Sequence, residues 1–187
     1  MLFLAFWVAR TPGAALGKLV RIAALWAYTA LFLGILSSEY VREMRKLLGQ
    51  PYLRVHHALA VSGLLLMLVH PLSYAIRVNS LSVFVPVWRP LGSALTLGGR
   101  PGLYLVWTAV LAAVARRRLK DVWKAIHWLN YVAFALIFAH AWLLGQDIAR
   151  GPLRAVWLAM AVVVLIVVVH KRLLGRPQSA RSAAPRV

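Results

Sequence analysis

An all-α integral membrane helical bundle of about five transmembrane helices is the fold class predicted by three observations. Hydrophobic residues make up 62% of the 187 positions, and the mean hydropathy is +0.76, more apolar surface than a water-soluble domain can bury. Acidic side chains number four against 22 basic ones, for a formal charge of +18. These charges stand between uncharged runs at residues 22–38, 55–76, 101–115, 125–146 and 155–170. A spanning helix needs roughly 20 apolar residues, about 17 to 25 in practice, so the second and fourth runs meet the requirement directly. The other three reach it by snorkelling of terminal arginines and lysines.

Before the first run, the stretch Met1–Ala9 is too short to span and is closed by Arg10, Thr11, Pro12 and Gly13. It lacks a charged start and a small-residue cleavage site, so an interfacial segment is expected rather than a signal sequence. Residues 1–175 are expected to form one membrane domain. The remaining 176–187, rich in Pro, Ser, Ala and Arg, are expected to be a disordered basic cytoplasmic tail. Basic residues with interleaved aromatics can signal nucleic acid, but here the charges fall in loops, as they do when they face anionic lipid headgroups; no nucleic-acid partner is expected. Fourteen of the 22 basic residues lie on one side: Arg42, Arg45, Lys46, Arg54, the cluster from Arg116 to Lys124, and Lys171, Arg172, Arg176, Arg181 and Arg186. Eight lie on the other: Arg10, Lys18, Arg21, Arg77, Arg89, Arg100, Arg150 and Arg154. The positive-inside rule makes the first side cytoplasmic, with the N-terminus outside and the C-terminus inside, as in a bacterial inner-membrane protein.

The absence of cysteine excludes disulfides, thiolate metal sites, iron–sulfur clusters and covalent c-type haem attachment. What remains is histidine. His56 and His70 stand near the two ends of the second run, His127 and His140 near the two ends of the fourth. A buried imidazole without a partner costs on the order of 2–7 kcal/mol, and ionisable residues within a membrane are functional candidates. The 14-residue spacing of His56 and His70 leaves them within about 40° of one helix face and about 21 Å apart, one in each leaflet of a hydrocarbon core about 30 Å thick. The 13-residue spacing of His127 and His140 leaves an ideal helix about 140° out of register. Tilt, rotamer choice or a local irregularity must make up that difference. His57 is a neighbouring candidate, but His56 shares a face with His70. Any one of these histidines could merely bond a neighbouring helix; four at two matching depths suit a donor set for two haems held between the second and fourth helices.

These segments carry a family resemblance. Leu53-Arg-Val-His-His-Ala-Leu-Ala-Val-Ser-Gly-Leu-Leu-Leu-Met-Leu-Val-His70-Pro-Leu resembles the haem-binding third helix of the ferric reductase and NADPH oxidase transmembrane domain. Ala125-Ile-His127-Trp-Leu-Asn-Tyr-Val-Ala-Phe-Ala-Leu-Ile-Phe-Ala-His140 resembles its partner helix. The family carries histidines 14 and 13 residues apart on these helices, so the awkward second spacing is part of the match. The resemblance implies two b haems, with His56 and His127 on the inner iron and His70 and His140 on the outer iron. It implies transmembrane electron transfer from a cytosolic flavin/NAD(P)H reductase or quinol to an outer-side acceptor: ferric chelate, oxygen or a periplasmic protein. The haem-bearing membrane subunit of the bacterial periplasmic methionine sulfoxide reductase system is also similar. A basic residue there replaces His56, so the histidine here favours two haems. No glycine-rich dinucleotide fingerprint follows a strand, so the donor is expected to be a separate molecule. The competing class is a non-redox transporter or proton relay.

Other residues have two readings each. Gly63, midway between His56 and His70, would admit a porphyrin or another backbone. Arg54 on the inner side, and Arg77, Arg89 or Arg100 on the outer side, would pair with haem propionates or anchor the interface. Trp88, Trp123, Trp128, Trp142 and Tyr74 suit an interfacial aromatic belt, with stacking on haem as the second reading for some, and His170 suits an interfacial position, with a ligand or propionate partner as its second reading. Asn130, one turn after His127, would orient a ligand or a helix contact. Gly98-Gly99-Arg100-Pro101-Gly102 reads as a loop feeding a helix start. The long, apolar loop from Arg77 to Arg100 would bound an acceptor site.

Overall fold

A computed structural model describes residues 8, 14–49, 51–149 and 151–174. Apart from Val8, the expected interfacial segment lies outside the described residues, as does the tail from residue 176. The described chain is helical and contains no strand. Helix α1 is Ala15–Glu39, α2 Val41–Leu48, α3 Tyr52–Val78, α4 Leu91–Thr96, α5 Gly99–Val114, α6 Arg116–Leu119, α7 Val122–His127, α8 Leu129–Leu144, α9 Gln146–Ala149 and α10 Pro152–Val168. A 3₁₀ turn covers Leu81–Phe84, and a π-helical turn, Val169–Leu174, extends α10.

Four stretches among the described residues are long and apolar enough to cross a membrane: Ala15–Glu39, Tyr52–Val78, Val122–Leu144 and Pro152–Lys171. The third expected span corresponds to α5, which is apolar but shorter, at 16 residues. The first span begins earlier than its uncharged run because Lys18 and Arg21 sit within α1. Arg21 is tolerated there by Asp147 in α9: its Nε donates to Asp147 Oδ2 at 2.6 Å and its Nη2 to Oδ1.

Ends and breaks follow local chemistry. Asn79 closes α3 in the left-handed region, with φ 50° and ψ 44°, where an asparagine C-cap is favourable. Gly151, at φ 87°, and Pro152 at the first helical position start α10. Within α3, Pro71 has no N–H to donate to the carbonyl of Met67. The α2 helix joins α1 to α3, carries Arg42, Arg45 and Lys46, and buries no side chain. We call this end of the bundle the turn face; the end carrying residues 79–98 is the loop face.

Two helix pairs form the frame. α1 runs along α3, where Gly63 opposes Ala30: a Cβ on Gly63 would stand 3.1 Å from Ala30 Cβ. Small residues at such a crossing increase van der Waals contact, the main attraction between helices in lipid. α5 runs along α8 in the same way. A Cβ on Gly98 would meet the Leu136 carbonyl at 2.7 Å, and one on Gly102 would meet Ile137 Cγ1 at 2.7 Å. Behind these pairs, α10 closes against α1 and α8 through a buried stack in which the Tyr28 ring lies 4.7 Å from Phe134 and 4.3 Å from Trp157. The two histidine-bearing helices, α3 and α8, have little backbone contact and face one another across the space between the pairs.

Candidate functional site: two histidine pairs between α3 and α8

Both histidine-bearing segments run from the turn face to the loop face. His56 lies in the second turn of α3 and His127 closes α7 just before α8; both line one cavity at the turn-face end. Its walls include Ala27, Ala30, Gly34, Ala60 and Gly63, whose lack of bulk leaves the space between α1, α3 and α8 open. His70 and His140 meet nearer the loop face, with ring centres 6.4 Å apart and ring planes at 70°. His57 is exposed and does not line the cavity.

The helix geometry that separates His127 from His140 contains a break. α7 ends at His127, Trp128 has ψ −18°, and α8 begins at Leu129. The Tyr131 N–H donates to the Trp128 carbonyl at 3.0 Å, and the Trp128 N–H is shared between the Ala125 and Lys124 carbonyls, at 3.2 Å each, so that i→i+3 bonds of a tightened turn mix with the α-helical pattern. At three residues per turn each residue advances by about 120° instead of about 100°. That sense of rotation reduces the 13-residue offset, although a single turn makes up only part of it.

All four imidazoles are held at Nδ1. His70 Nδ1 donates to the Val20 carbonyl at 3.0 Å, His127 Nδ1 to the Ala109 carbonyl at 3.1 Å, and His140 Nδ1 to the Thr96 carbonyl at 2.7 Å. A carbonyl only accepts, so these rings carry the proton on Nδ1. His56 Nδ1 lies 2.8 Å from Ser37 Oγ. The Ser37 hydroxyl already donates to the Gly34 carbonyl at 2.8 Å, so its oxygen accepts and His56 has the same tautomer. With Nδ1 so engaged, Nε2 is the atom each ring has for a metal, as a neutral histidine ligand requires; that of His127 lies 3.5 Å from the Asn130 amide nitrogen. The acceptors are divided by structure: α1 supplies those of both α3 histidines, and the α4–α5 segment supplies those of both downstream histidines.

Two pairs of imidazoles are a donor set that could take a group supplying its remaining ligands itself. Among the described residues no group of three or more His, Asp or Glu could hold a metal ion, whereas haem brings its own four in-plane nitrogens and needs only two axial ligands.

The remaining candidates are distributed unevenly. Gly63 is buried against α1 and also lines the cavity. Arg54 is exposed two residues before His56. On the loop face, Arg89 is exposed and Arg77 extends over the Tyr74 ring at 5.4 Å. Arg100 donates to the Val85 carbonyl at 2.9 Å and stands within electrostatic reach of His140. Asn130 is buried, with its amide nitrogen 3.4 Å from His127 Nδ1 and its Oδ1 without a hydrogen-bond partner. Trp123 packs 5.8 Å from the His127 ring, Trp142 lies under Arg154 at 4.4 Å, and Trp88, Trp128 and Tyr74 are exposed. His170 is exposed in the π-helical turn, outside the cavity lining.

Sequence reasoning missed Ser37, Thr96 and Gly99. Ser37 is a hydroxyl within an apolar run, a weak signal on its own. Thr96 acts through its backbone, which carries no side-chain signature. Gly99 was read as part of a loop but begins α5, where an added Cβ would lie 2.8 Å from His140 Cδ2 and 3.0 Å from Nε2. The long loop thus has a defined structural part: α4 within it supplies the acceptor for His140, and Tyr104 fastens it by donating to the Phe84 carbonyl at 2.9 Å. Comparison with family models, curated proteins and solved structures finds no match for the chain.

Proposed function

We propose that this chain is a b-type membrane cytochrome of the ferric reductase-like kind, carrying electrons across the bilayer through two haems. The observation that supports this reading is the common arrangement of the four histidines: each has Nδ1 hydrogen-bonded, which leaves Nε2 as the atom a metal would take. His56 and His127 would hold one haem and His70 and His140 the other. Bound there, the haems would supply one-electron redox chemistry.

The chain's own residues provide orientation and exclusion of water. The carbonyls of Val20, Ala109 and Thr96 and the Ser37 hydroxyl fix ring rotation and raise ligand basicity. α1 and α10 seal the back of the slot with apolar side chains. In this reading α5 is the fifth crossing: its 16 residues rise about 24 Å, and Arg116, Arg117 and Arg118 extend to the headgroups. The turn face, which carries the larger basic set, is cytoplasmic in a bacterial inner membrane, and receives electrons from a flavoprotein or quinol. The loop face delivers them to a ferric chelate, oxygen or a periplasmic protein, including a methionine sulfoxide reductase. A proton relay is less well supported, because three of the four Nδ1–H groups end on backbone carbonyls, which do not pass a proton onward.

The test is purification after expression with haem supply, followed by reduced-minus-oxidised visible spectra and haem quantification. About two low-spin b haems per chain are expected. A folded, colourless, haem-free protein would overturn the proposal.

A further inference from the structure

Three of the four histidines bond to backbone carbonyls, whose positions are set by the helices that carry them. His56 alone gives its Nδ1–H to a side-chain oxygen. We propose that Ser37 is a positioning residue that fixes the tautomer of His56 and sets the redox potential of the turn-face centre separately from the loop-face one. The inference rests on the proposed haem function for its second half only; the first half concerns the imidazole itself.

The geometry supports a directed relay. Ser37 is buried at 4% exposure on the α1 surface that faces α3. Its hydroxyl donates to the Gly34 carbonyl at 2.8 Å and its oxygen receives the His56 Nδ1–H at 2.8 Å. Each bond polarises the next, so the imidazole gains electron density at Nε2 through an alcohol rather than an amide oxygen. Ser38, the next residue, has the same local pattern, with its hydroxyl 2.8 Å from the Ile35 carbonyl, and also lines the cavity. Its bond stays within its own helix, which makes it a matched control. A Ser37→Ala change removes the hydroxyl that accepts from His56 Nδ1 and leaves the Gly34 carbonyl as its neighbouring acceptor. Without the hydroxyl to hold it, the ring adopts the other tautomer or rotates, and its donation to a bound metal falls. A weaker donor stabilises the oxidised metal less, so the potential of that centre rises.

The experiment uses Ser37→Ala, Ser37→Thr and Ser38→Ala in the full chain. In haem-free protein, ¹⁵N NMR of the imidazoles should show His56 in the Nδ1–H tautomer. That signature should be lost in Ser37→Ala, retained in Ser38→Ala and recovered in Ser37→Thr, whose hydroxyl restores the acceptor. In haem-loaded protein, a redox titration should show one midpoint raised in Ser37→Ala by up to a tenfold change in the equilibrium, roughly 59 mV for one electron, with the other midpoint unchanged. An unchanged His56 tautomer in Ser37→Ala overturns the inference whether or not haem is present. Equal movement of both midpoints overturns the separate tuning. Failure of the wild-type chain to bind haem removes the redox half and the proposed function together, but leaves the tautomer measurement to decide the role of Ser37.

Discussion

The rings of His70 and His140 approach to 6.4 Å, centre to centre, although the helices that carry them have little backbone contact. Side chains alone bridge the gap, and each is braced from behind by a carbonyl of a different element, Val20 in α1 and Thr96 in α4. Two ligands of one centre should fail together. His70→Ala and His140→Ala are each expected to lower haem from about two to about one per chain, and the double variant should lose no more than either single change. Quantifying haem against protein in all three checks this. Losses that add would place the two histidines on separate centres.

At the other end the choice lies between neighbouring residues. His56 lines the cavity and is bonded to Ser37, while His57 is exposed, its ring centre 6.0 Å from that of His56. His56→Ala should remove about one haem per chain, and His57→Ala should remove none. The reverse result would mean that α3 rotates when the site is filled.

Much of the bundle was legible because the membrane restricts the choice of structure: long apolar runs must be helices, and four of the five runs correspond to spans, although the fourth run extends two residues beyond its span. Their ends were less legible. Lys18 and Arg21 hid the first turns of α1, because Asp147, the partner that permits Arg21 there, is 126 residues away. The histidines stood out since each is costly in an apolar run. Their acceptors did not, since the carbonyls of Val20, Ala109 and Thr96 depend on backbone placement and not on side-chain identity. The awkward spacing of His127 and His140 asked for an irregularity. The break at Trp128 is one, formed without the proline or glycine that would have announced it.

Gly99 tests how tightly the loop-face ring is held. A methyl group there would lie 2.8 Å from His140 Cδ2, inside van der Waals contact, so either the ring or α5 must shift. Gly99→Ala should destabilise the bundle by about 1–3 kcal/mol, as overpacking does, and broaden or shift the spectrum of one haem. Gly92→Ala, in α4, meets nothing within 4 Å and should be neutral or slightly stabilising in thermal unfolding. Equal behaviour of the two variants would show that Gly99 does not restrain His140.

On the turn face, Glu43 in α2 has its carboxyl held below the ordinary value. Its own backbone hydrogen bond is the largest cause, and the nearby Lys171 and Arg42 lower it further. A depressed carboxylate stabilises the fold above its unfolded-state pKa, and that contribution is lost as the pH falls through the folded-state value. With Lys171 Nζ 3.5 Å from Oε1, Lys171→Met should raise the Glu43 pKa only part of the way back. The chain has two glutamates, Glu39 and Glu43, so carboxyl ¹³C NMR can follow the titration without crowding. Full return to the ordinary value would contradict the order of causes.

The Arg21–Asp147 pair joins the first span to the segment after α8 and is the buried charge on which the loop-face end depends. The Asp147 side chain is 7% exposed and that of Arg21 21%, so removing either charge leaves the other in a poorly hydrated site. Breaking a buried pair from one side costs about 3–5 kcal/mol; the partial exposure of Arg21 brings the expected loss for Asp147→Asn to about 2–3 kcal/mol. Arg21→Gln should cost more, because it leaves the less exposed carboxylate behind. If the cost is that of the isolated charge, Arg21→Gln with Asp147→Asn should be less destabilised than the sum of the single changes, with a coupling of about 1–3 kcal/mol. Thermal unfolding of the four proteins in one detergent measures this cycle. Additive losses would show that each side chain acts through its other neighbours, and that the pair does not anchor α1 to α9.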